Sequence, residues 1–197
     1  MRPSTFSNHP SIDLIIGPMY SGKSVELLRR LSIFSHMKLQ VLYVNHLIDT
    51  RSDACFSSHS KSVCFPEEVD GVQVDSLESI VDLVPRYSII GIDEAQFFSG
   101  LYDFCMDAVT KYGLKVIVAG LSGDFMRNPF GEILSLIPVC DELLKLYSYC
   151  TICMDKKSVV TPALFTKRIT PEQHATVLVG GQSEYAAVCR SCYSFKE

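Results

Sequence analysis

The 197-residue chain has no apolar run of the roughly eighteen residues that a membrane-spanning helix needs, and its first ten residues lack the apolar core of a secretory signal. The expectation is a cytoplasmic protein with no membrane partner, kept in the compartment where it is made. A basic excess is absent too: 18 Lys and Arg stand against 22 Asp and Glu, a net charge of -4. That sign argues against affinity built on neutralising a polynucleotide backbone, so no nucleic-acid partner is expected. A small anion held by a local nest of donors fits better. Internal repeats and low-complexity segments are also absent. What is present is 47% hydrophobic residues, enough for one α/β core and a small appendage.

The most informative stretch lies early. The apolar run Ile12-Asp13-Leu14-Ile15-Ile16 leads into Gly17-Pro18-Met19-Tyr20-Ser21-Gly22-Lys23-Ser24, and Val25-Glu26-Leu27-Leu28-Arg29-Arg30 follows. This is G-x-x-x-x-G-K-[ST] between a strand and a helix, where loop N–H groups and the positive end of the helix converge on phosphate oxygens. An accidental match arises in on the order of 1% of chains of this length. The reading is a nucleoside triphosphate site, with Lys23 on the β- and γ-phosphates and the Ser24 hydroxyl on Mg²⁺.

Apolar residues Val25, Leu28, Leu31 and Phe34 give helical spacing over 25–35, with Arg29 and Arg30 on the wet face. Strands are expected at 39–44, 87–92 and 115–120, a long loop at 45–61, and helices at 76–84, behind a Ser76 N-cap, and at 102–112. Near-continuous apolar strands alternating with helices predict a mostly parallel sheet covered on both faces, an α/β fold. The strand Ile89-Ile90-Gly91-Ile92 ends in Asp93-Glu94, the form of a Walker-B strand. There Asp93 would hold Mg²⁺, and Glu94 would take a proton from the attacking group.

Eight cysteines are present, four of them in two C-x-x-C pairs, Cys150/Cys153 and Cys189/Cys192. Four thiolates in two chelating pairs suit a closed tetrahedral Zn²⁺ site with a structural role. The 35 residues between the pairs exceed the gap of a simple zinc ribbon, so the metal would clasp the ends of a long excursion. A redox dithiol and structural disulfides are the rival readings: thioredoxin-type motifs come singly and near a β-α start, and structural disulfides fit a reducing compartment poorly. Cys55, Cys64, Cys105 and Cys140 read as free thiols in core or half-exposed positions. The expected organisation is a loosely attached 1–10, a nucleotide-binding α/β unit over 11–148, and a zinc-binding module over 149–197.

With these constellations in order, the chain resembles the type II, zinc-containing thymidine kinases. The resemblance is carried by the phosphate loop, Asp49-Thr50-Arg51, Ile92-Asp93-Glu94-Ala95-Gln96-Phe97-Phe98, Arg127-Asn128-Pro129-Phe130-Gly131, Thr166-Lys167-Arg168 and the run from Gly180 to Tyr193. It implies a RecA-like P-loop fold with a small C-terminal zinc module and a lasso loop. It also implies transfer of the γ-phosphate of ATP to the 5′-hydroxyl of thymidine or deoxyuridine. By position Glu94 matches the general base and Arg51 an arginine steadying the phosphates. Asp49 matches an acidic residue at the magnesium site beside Ser24 and Asp93. Met19, Phe97, Leu121, Phe125 and Phe130 match an apolar base pocket, Thr166 and Tyr185 lie beside it, and the lasso backbone at Val177, Val179 and Gly180 would bond the pyrimidine edge. A homotetramer and feedback inhibition by thymidine triphosphate are further implications.

Some positions depart from the family pattern. Ala95 stands where many relatives have glycine, and Leu121-Ser122-Gly123-Asp124 places a carboxylate beside Phe125. Residues 158–165 read as an insertion before Thr166. The chain stops five residues after Cys192, which suggests a viral or bacterial source, and for a viral protein the cytoplasm would be the host's. Two rival functions remain at this point, a P-loop ATPase that remodels nucleic acid or protein and a zinc interaction module with a vestigial nucleotide site.

Overall fold

The computed structural model describes residues 9–49, 69–170 and 183–194. The expectations for 1–8, for most of the 45–61 loop, and for Arg51, Cys55, Cys64, Val177, Val179 and Gly180 lie outside the described residues.

Six strands form one all-parallel sheet in the order β3-β2-β4-β5-β1-β6. They are β1 (Ser11–Gly17), β2 (Val41–His46), β3 (Asp70–Val74), β4 (Ile89–Ile92), β5 (Lys115–Leu121) and β6 (Glu142–Lys145). The central strands are buried along nearly their whole length because both faces are covered. On one face lies α1 (Lys23–His36), whose Leu27, Leu28 and Leu31 pack on Ile15, Val41, Tyr43, Ile89, Ile117 and Ala119. Gly91 permits this approach, since a Cβ there would lie 2.5 Å from Leu31 Cδ1. The other face carries α2 (Leu101–Thr110) and 3₁₀ turns at Leu77–Ile80, Val84–Arg86 and Ile133–Val139, over Leu14, Leu42, Ile90, Val116 and their same-face neighbours.

Several local expectations are corrected. The segment 76–84 is not one α-helix but two 3₁₀ turns: Ser76 does cap the first, its Oγ accepting from the Glu78 N–H at 3.2 Å, and Pro85 opens the second. The buried stripe of α1 includes Leu27, while Val25 is exposed. Arg30 is not on the wet face. It reaches back to Glu26 at 2.9 Å, Asp13 at 3.2 Å and Glu142 at 2.8 Å, and Lys115 Nζ sits 2.7 Å from the second Asp13 oxygen. A carboxylate inside β1 is tolerable because two cations answer it. Cys105 is a core residue and Cys140 is half-exposed.

After the sheet the chain runs through β7 (Ser148–Tyr149), α3 (Thr151–Lys157), β8 (Pro162–Ala163), β9 (Phe165–Arg168), β10 (Tyr185–Val188) and α4 (Arg190–Ser194). Two small antiparallel pairings, β7 with β8 and β9 with β10, hold this part. The expected insertion at 158–165 supplies β8 and the first residue of β9. No described helix is long and apolar enough to cross a membrane.

Replacing Asp13 with alanine leaves Lys115 and Arg30 with a reduced set of partners in a partly dry site. The expected loss is about 2 kcal/mol, read as a lower urea midpoint at unchanged slope. Hydrogen bonds from Arg29 and Arg30 hold the Glu26 and Glu142 carboxyls below the usual glutamate range. Their stabilisation is therefore full above that range and is lost as pH falls through the lowered values, so Glu26→Gln should flatten the acid limb of a stability–pH curve.

Candidate active site

Parallel register sets the place of the site. Gly17 pairs with Leu121 at the end of β5, and Ile92 pairs with Val44 and Val118. The phosphate loop, the Asp93-Glu94 turn and the segment after Leu121 therefore leave the sheet at the same edge, outside the carboxyl ends of the strands, where ligands of open α/β sheets bind.

The loop from Gly17 to Gly22 is closed on itself. Ser21 Oγ and Lys23 Nζ both donate to the Pro18 carbonyl, at 2.9 and 2.8 Å. Gly17 must be glycine, because a Cβ would lie 2.7 Å from Ser21 Oγ and 2.8 Å from the Leu146 carbonyl oxygen. Gly22 has φ of 83° and begins α1 without a side-chain cap, which leaves the first helical N–H groups to an anion.

The Ser24 hydroxyl, in the first turn of α1, lies near enough to the Asp93 carboxyl to favour its charged form. That carboxyl accepts from Tyr43 Oη at 3.0 Å and from the Glu94 N–H at 2.9 Å. Burial, and then the neighbouring Glu94 charge, push it up to about 6. Burial also pushes Tyr43 well above its usual range, with the charges of Asp93, Glu94 and Asp49 adding to it. Asp49 is itself buried, its carboxylate accepting from Asn45 Nδ2 at 3.2 Å. Ser24, Asp93 and Asp49, named from sequence as magnesium residues, thus share one acidic neighbourhood of oxygen donors.

Glu94 occupies the left-handed region, φ 48° and ψ 37°, ahead of the 3₁₀ turn Ala95–Phe97. Its Oε2 accepts from Gln96 Nε2 at 2.7 Å. The other end of that amide, Oε1, accepts from the Leu121 N–H at 2.8 Å. Gln96 was not singled out from sequence; the available signal was a polar residue placed between Ala95 and an aromatic pair in a turn otherwise committed to the core.

The expected base-pocket residues fall into linked groups. Phe97 and Phe130 meet edge to face at 5.4 Å, and His46 lies 5.7 Å from Phe97. The Met19 N–H donates to Thr166 Oγ1 at 3.0 Å, which joins the phosphate loop to β9. Tyr20 Oη reaches the Tyr185 carbonyl at 3.4 Å. Phe125 is covered by the Arg168 guanidinium at 3.9 Å, and Arg168 donates to Tyr185 Oη at 2.8 Å. Tyr193 Oη donates to the Phe125 carbonyl at 2.7 Å. Arg168 and Tyr193 were quoted in motifs but given no role from sequence. The Asp124 carboxylate turns into its own loop, where Oδ1 accepts from the Met126 and Asn128 N–H groups, each at 2.8 Å.

Cys150, Cys153, Cys189 and Cys192 place their sulfurs within 4.8 Å of one another. The Cys153 sulfur is 3.8 Å from that of Cys189 and 3.5 Å from that of Cys192. A tetrahedral ion with metal–sulfur bonds of about 2.3 Å requires sulfur–sulfur edges of about 3.8 Å, so the cluster could hold a zinc ion. The main-chain N–H of Cys192, foremost among the causes, draws the Cys189 thiol down to about 7, readying a thiolate. Titrating the thiols of the native protein with a mercurial should release about one zinc per chain and lower the melting temperature. Release of no metal would leave the cluster a thiol group without an ion.

A family model described as thymidine kinase matches residues 10–193. The cytosolic thymidine kinase of Homo sapiens is 35% identical over 196 residues, covering 97% of this chain and 78% of that protein. The thymidine kinase of raccoon poxvirus is 37% identical over 186 residues, 94% of this chain and 98% of the relative. That of Choristoneura fumiferana entomopoxvirus is 38% identical over 186 residues, 93% and 96% respectively. A match of that extent, over a fold that gathers the phosphate loop, the acidic turn and the four-cysteine cluster in the order the sequence resemblance requires, makes the chain a member of the thymidine kinase family.

Proposed function

We propose that the chain transfers the γ-phosphate of ATP to the 5′-hydroxyl of thymidine, and of deoxyuridine, giving thymidine monophosphate for DNA synthesis by deoxyribonucleoside salvage. Family membership supplies the reaction class. The observation that supports the roles is the contact of Ser24 with Asp93, with Glu94 next in the chain, because it sets the phosphate loop directly against the acidic turn.

Under this reading Lys23 leaves the Pro18 carbonyl to reach the β- and γ-phosphates, and the loop N–H groups from Gly17 to Ser24 hold the rest of the triphosphate. Magnesium, when bound, would neutralise charge developing between the β- and γ-phosphates, and Ser24, Asp93 and Asp49 are oxygen donors of the kind it takes. Glu94 takes the 5′-hydroxyl proton as that oxygen attacks the γ-phosphorus. The bond from phosphorus to the bridging oxygen breaks, and ADP leaves with the electron pair. A primary alcohol is a poor nucleophile at neutral pH, so a positioned base and charge stabilisation account for most of what the protein must add.

Arg51 is assigned to the phosphates and the lasso backbone at Val177, Val179 and Gly180 to the pyrimidine edge, on the resemblance alone. Met19, Phe97, Leu121, Phe125 and Phe130 would enclose the base, with Thr166 and Tyr185 at its margin. The same reading takes 11–148 as the nucleotide-binding unit and 149–197 as a structural zinc module, and it extends to a homotetramer, feedback inhibition by thymidine triphosphate and a cytoplasmic location.

The test is transfer of labelled γ-phosphate from ATP to thymidine, deoxyuridine, deoxycytidine and deoxyguanosine. Wild type should label thymidine and deoxyuridine, and Glu94→Gln should lower kcat by about 10²- to 10⁴-fold while its melting curve stays cooperative. No nucleoside product, with hydrolysis stimulated by DNA or RNA, would overturn the kinase reading and favour a remodelling ATPase.

A further inference from the structure

Gln96 is buried, 3% exposed, and both ends of its amide are committed. Its Oε1 can only be the atom facing Leu121, since a main-chain N–H needs an acceptor. Its Nε2 must then face the Glu94 carboxylate, which can only accept when ionised. The amide therefore has one workable orientation, fixed by the chemistry of both neighbours. Its surroundings leave it no room to move. A Cβ at Gly120 would lie 2.6 Å from Oε1, and one at Gly131 would strike the Gln96 carbonyl. Two glycines thus pack against Gln96 from β5 and from the segment after Phe130. Glu94 meanwhile holds a left-handed backbone, which in a non-glycine residue persists only where its surroundings over-determine it.

We propose that Gln96 is a positioning residue for the phosphoryl transfer. Its amide aims the Glu94 carboxylate and ties it to the end of β5 at Leu121, so that the base and the wall of the thymidine pocket are held in one frame. This rests on Glu94 being the general base. Gln96 itself touches no reacting atom, and its effect passes through Glu94. Freed of the Nε2–H donor, the Glu94 side chain regains rotamers that point away from the 5′-hydroxyl, and misplacement of a reacting group by about 1 Å can cost on the order of 10²-fold.

The experiment is a double-mutant cycle on the full chain, with kcat and both KM values measured for wild type, Glu94→Gln, Gln96→Met and the double variant. Gln96→Met fills the space without either hydrogen bond. It should lower kcat about 10- to 100-fold with the KM values for thymidine and ATP within about twofold of wild type. Added to Glu94→Gln it should cause no further loss, because the group it aims is already disabled. A variant harmed only through folding would lose melting temperature and would lower kcat on both backgrounds. If Gln96→Met itself melts early, Gln96→Leu is the second variant. It is a shorter apolar side chain that likewise has no donor for Glu94, and its kcat should fall similarly.

Three outcomes overturn the proposal. Wild-type kcat in Gln96→Met or Gln96→Leu, with Glu94→Gln inactive, sinks the positioning role and leaves the base assignment standing. Equal losses from Gln96→Met on both backgrounds mean that its effect does not pass through Glu94. Full turnover in Glu94→Gln removes the base assignment and this inference together.

Discussion

The parallel register of β1, β4 and β5 is the constraint on which the site depends. Because Gly17 lies level with Leu121 and Ile92 level with Val118, three chain segments leave the sheet side by side. Each carries a different chemistry: the glycine-rich loop and uncapped N–H groups of α1 after β1, carboxylates after β4, and the loop bearing Phe125 after β5. A slip by one residue would reverse the faces of a strand and bring Asp13, answered by Arg30 and Lys115 on the α1 side, onto the opposite apolar layer. The buried charge network at β1 and the reactive edge of the sheet are thus consequences of one alignment.

The C-terminal segment is joined to that edge by directional bonds as well as packing. Thr166 takes the Met19 N–H, Tyr193 holds the Phe125 carbonyl, and Arg168 spans Phe125 and Tyr185. These contacts issue from β9, β10 and α4, the elements between and around the cysteine pairs. An ion drawing the four sulfurs together would therefore restrain the phosphate loop and the Phe125 segment without taking part in bond-making, which is what a closed set of four thiolates can do.

Much of this frame is legible in the sequence where the pattern is strong. Continuous apolar runs mark β1, β2, β4 and β5 because both faces of those strands are dry, and the phosphate loop is visible because few residues satisfy its backbone. The edge strands β3 and β6 escape the same reading: Asp70–Val74 and Glu142–Lys145 are half-exposed, short and partly charged, so neither run nor alternation stands out. Arg30 reads as a solvated arginine because its partners Asp13 and Glu142 are distant in sequence and meet it only once β1 and β6 pair. Gln96 is opaque for a similar reason, since its value lies in a Leu121 N–H that no local pattern announces.

The Leu121-Ser122-Gly123-Asp124 departure illustrates how tertiary geometry can neutralise an apparent change of chemistry. From sequence, a carboxylate beside Phe125 threatens an apolar pocket with a charge. In the fold, Oδ1 is occupied by two main-chain N–H groups, and the Asp124 N–H returns a bond to the Asn128 carbonyl at 3.0 Å, so the side chain serves as the internal brace of a tight turn. That turn carries Arg127 at φ 72° and sets its guanidinium 4.2 Å over the Tyr193 ring, on the side of the C-terminal segment. The carboxylate is spent on shaping the loop that presents Phe125 and does not stand as a free charge beside that ring. Under the proposed reading, a base pocket walled by aromatic rings would distinguish bases by size and by stacking, and recognition of donor and acceptor pattern would fall to main-chain or other polar groups.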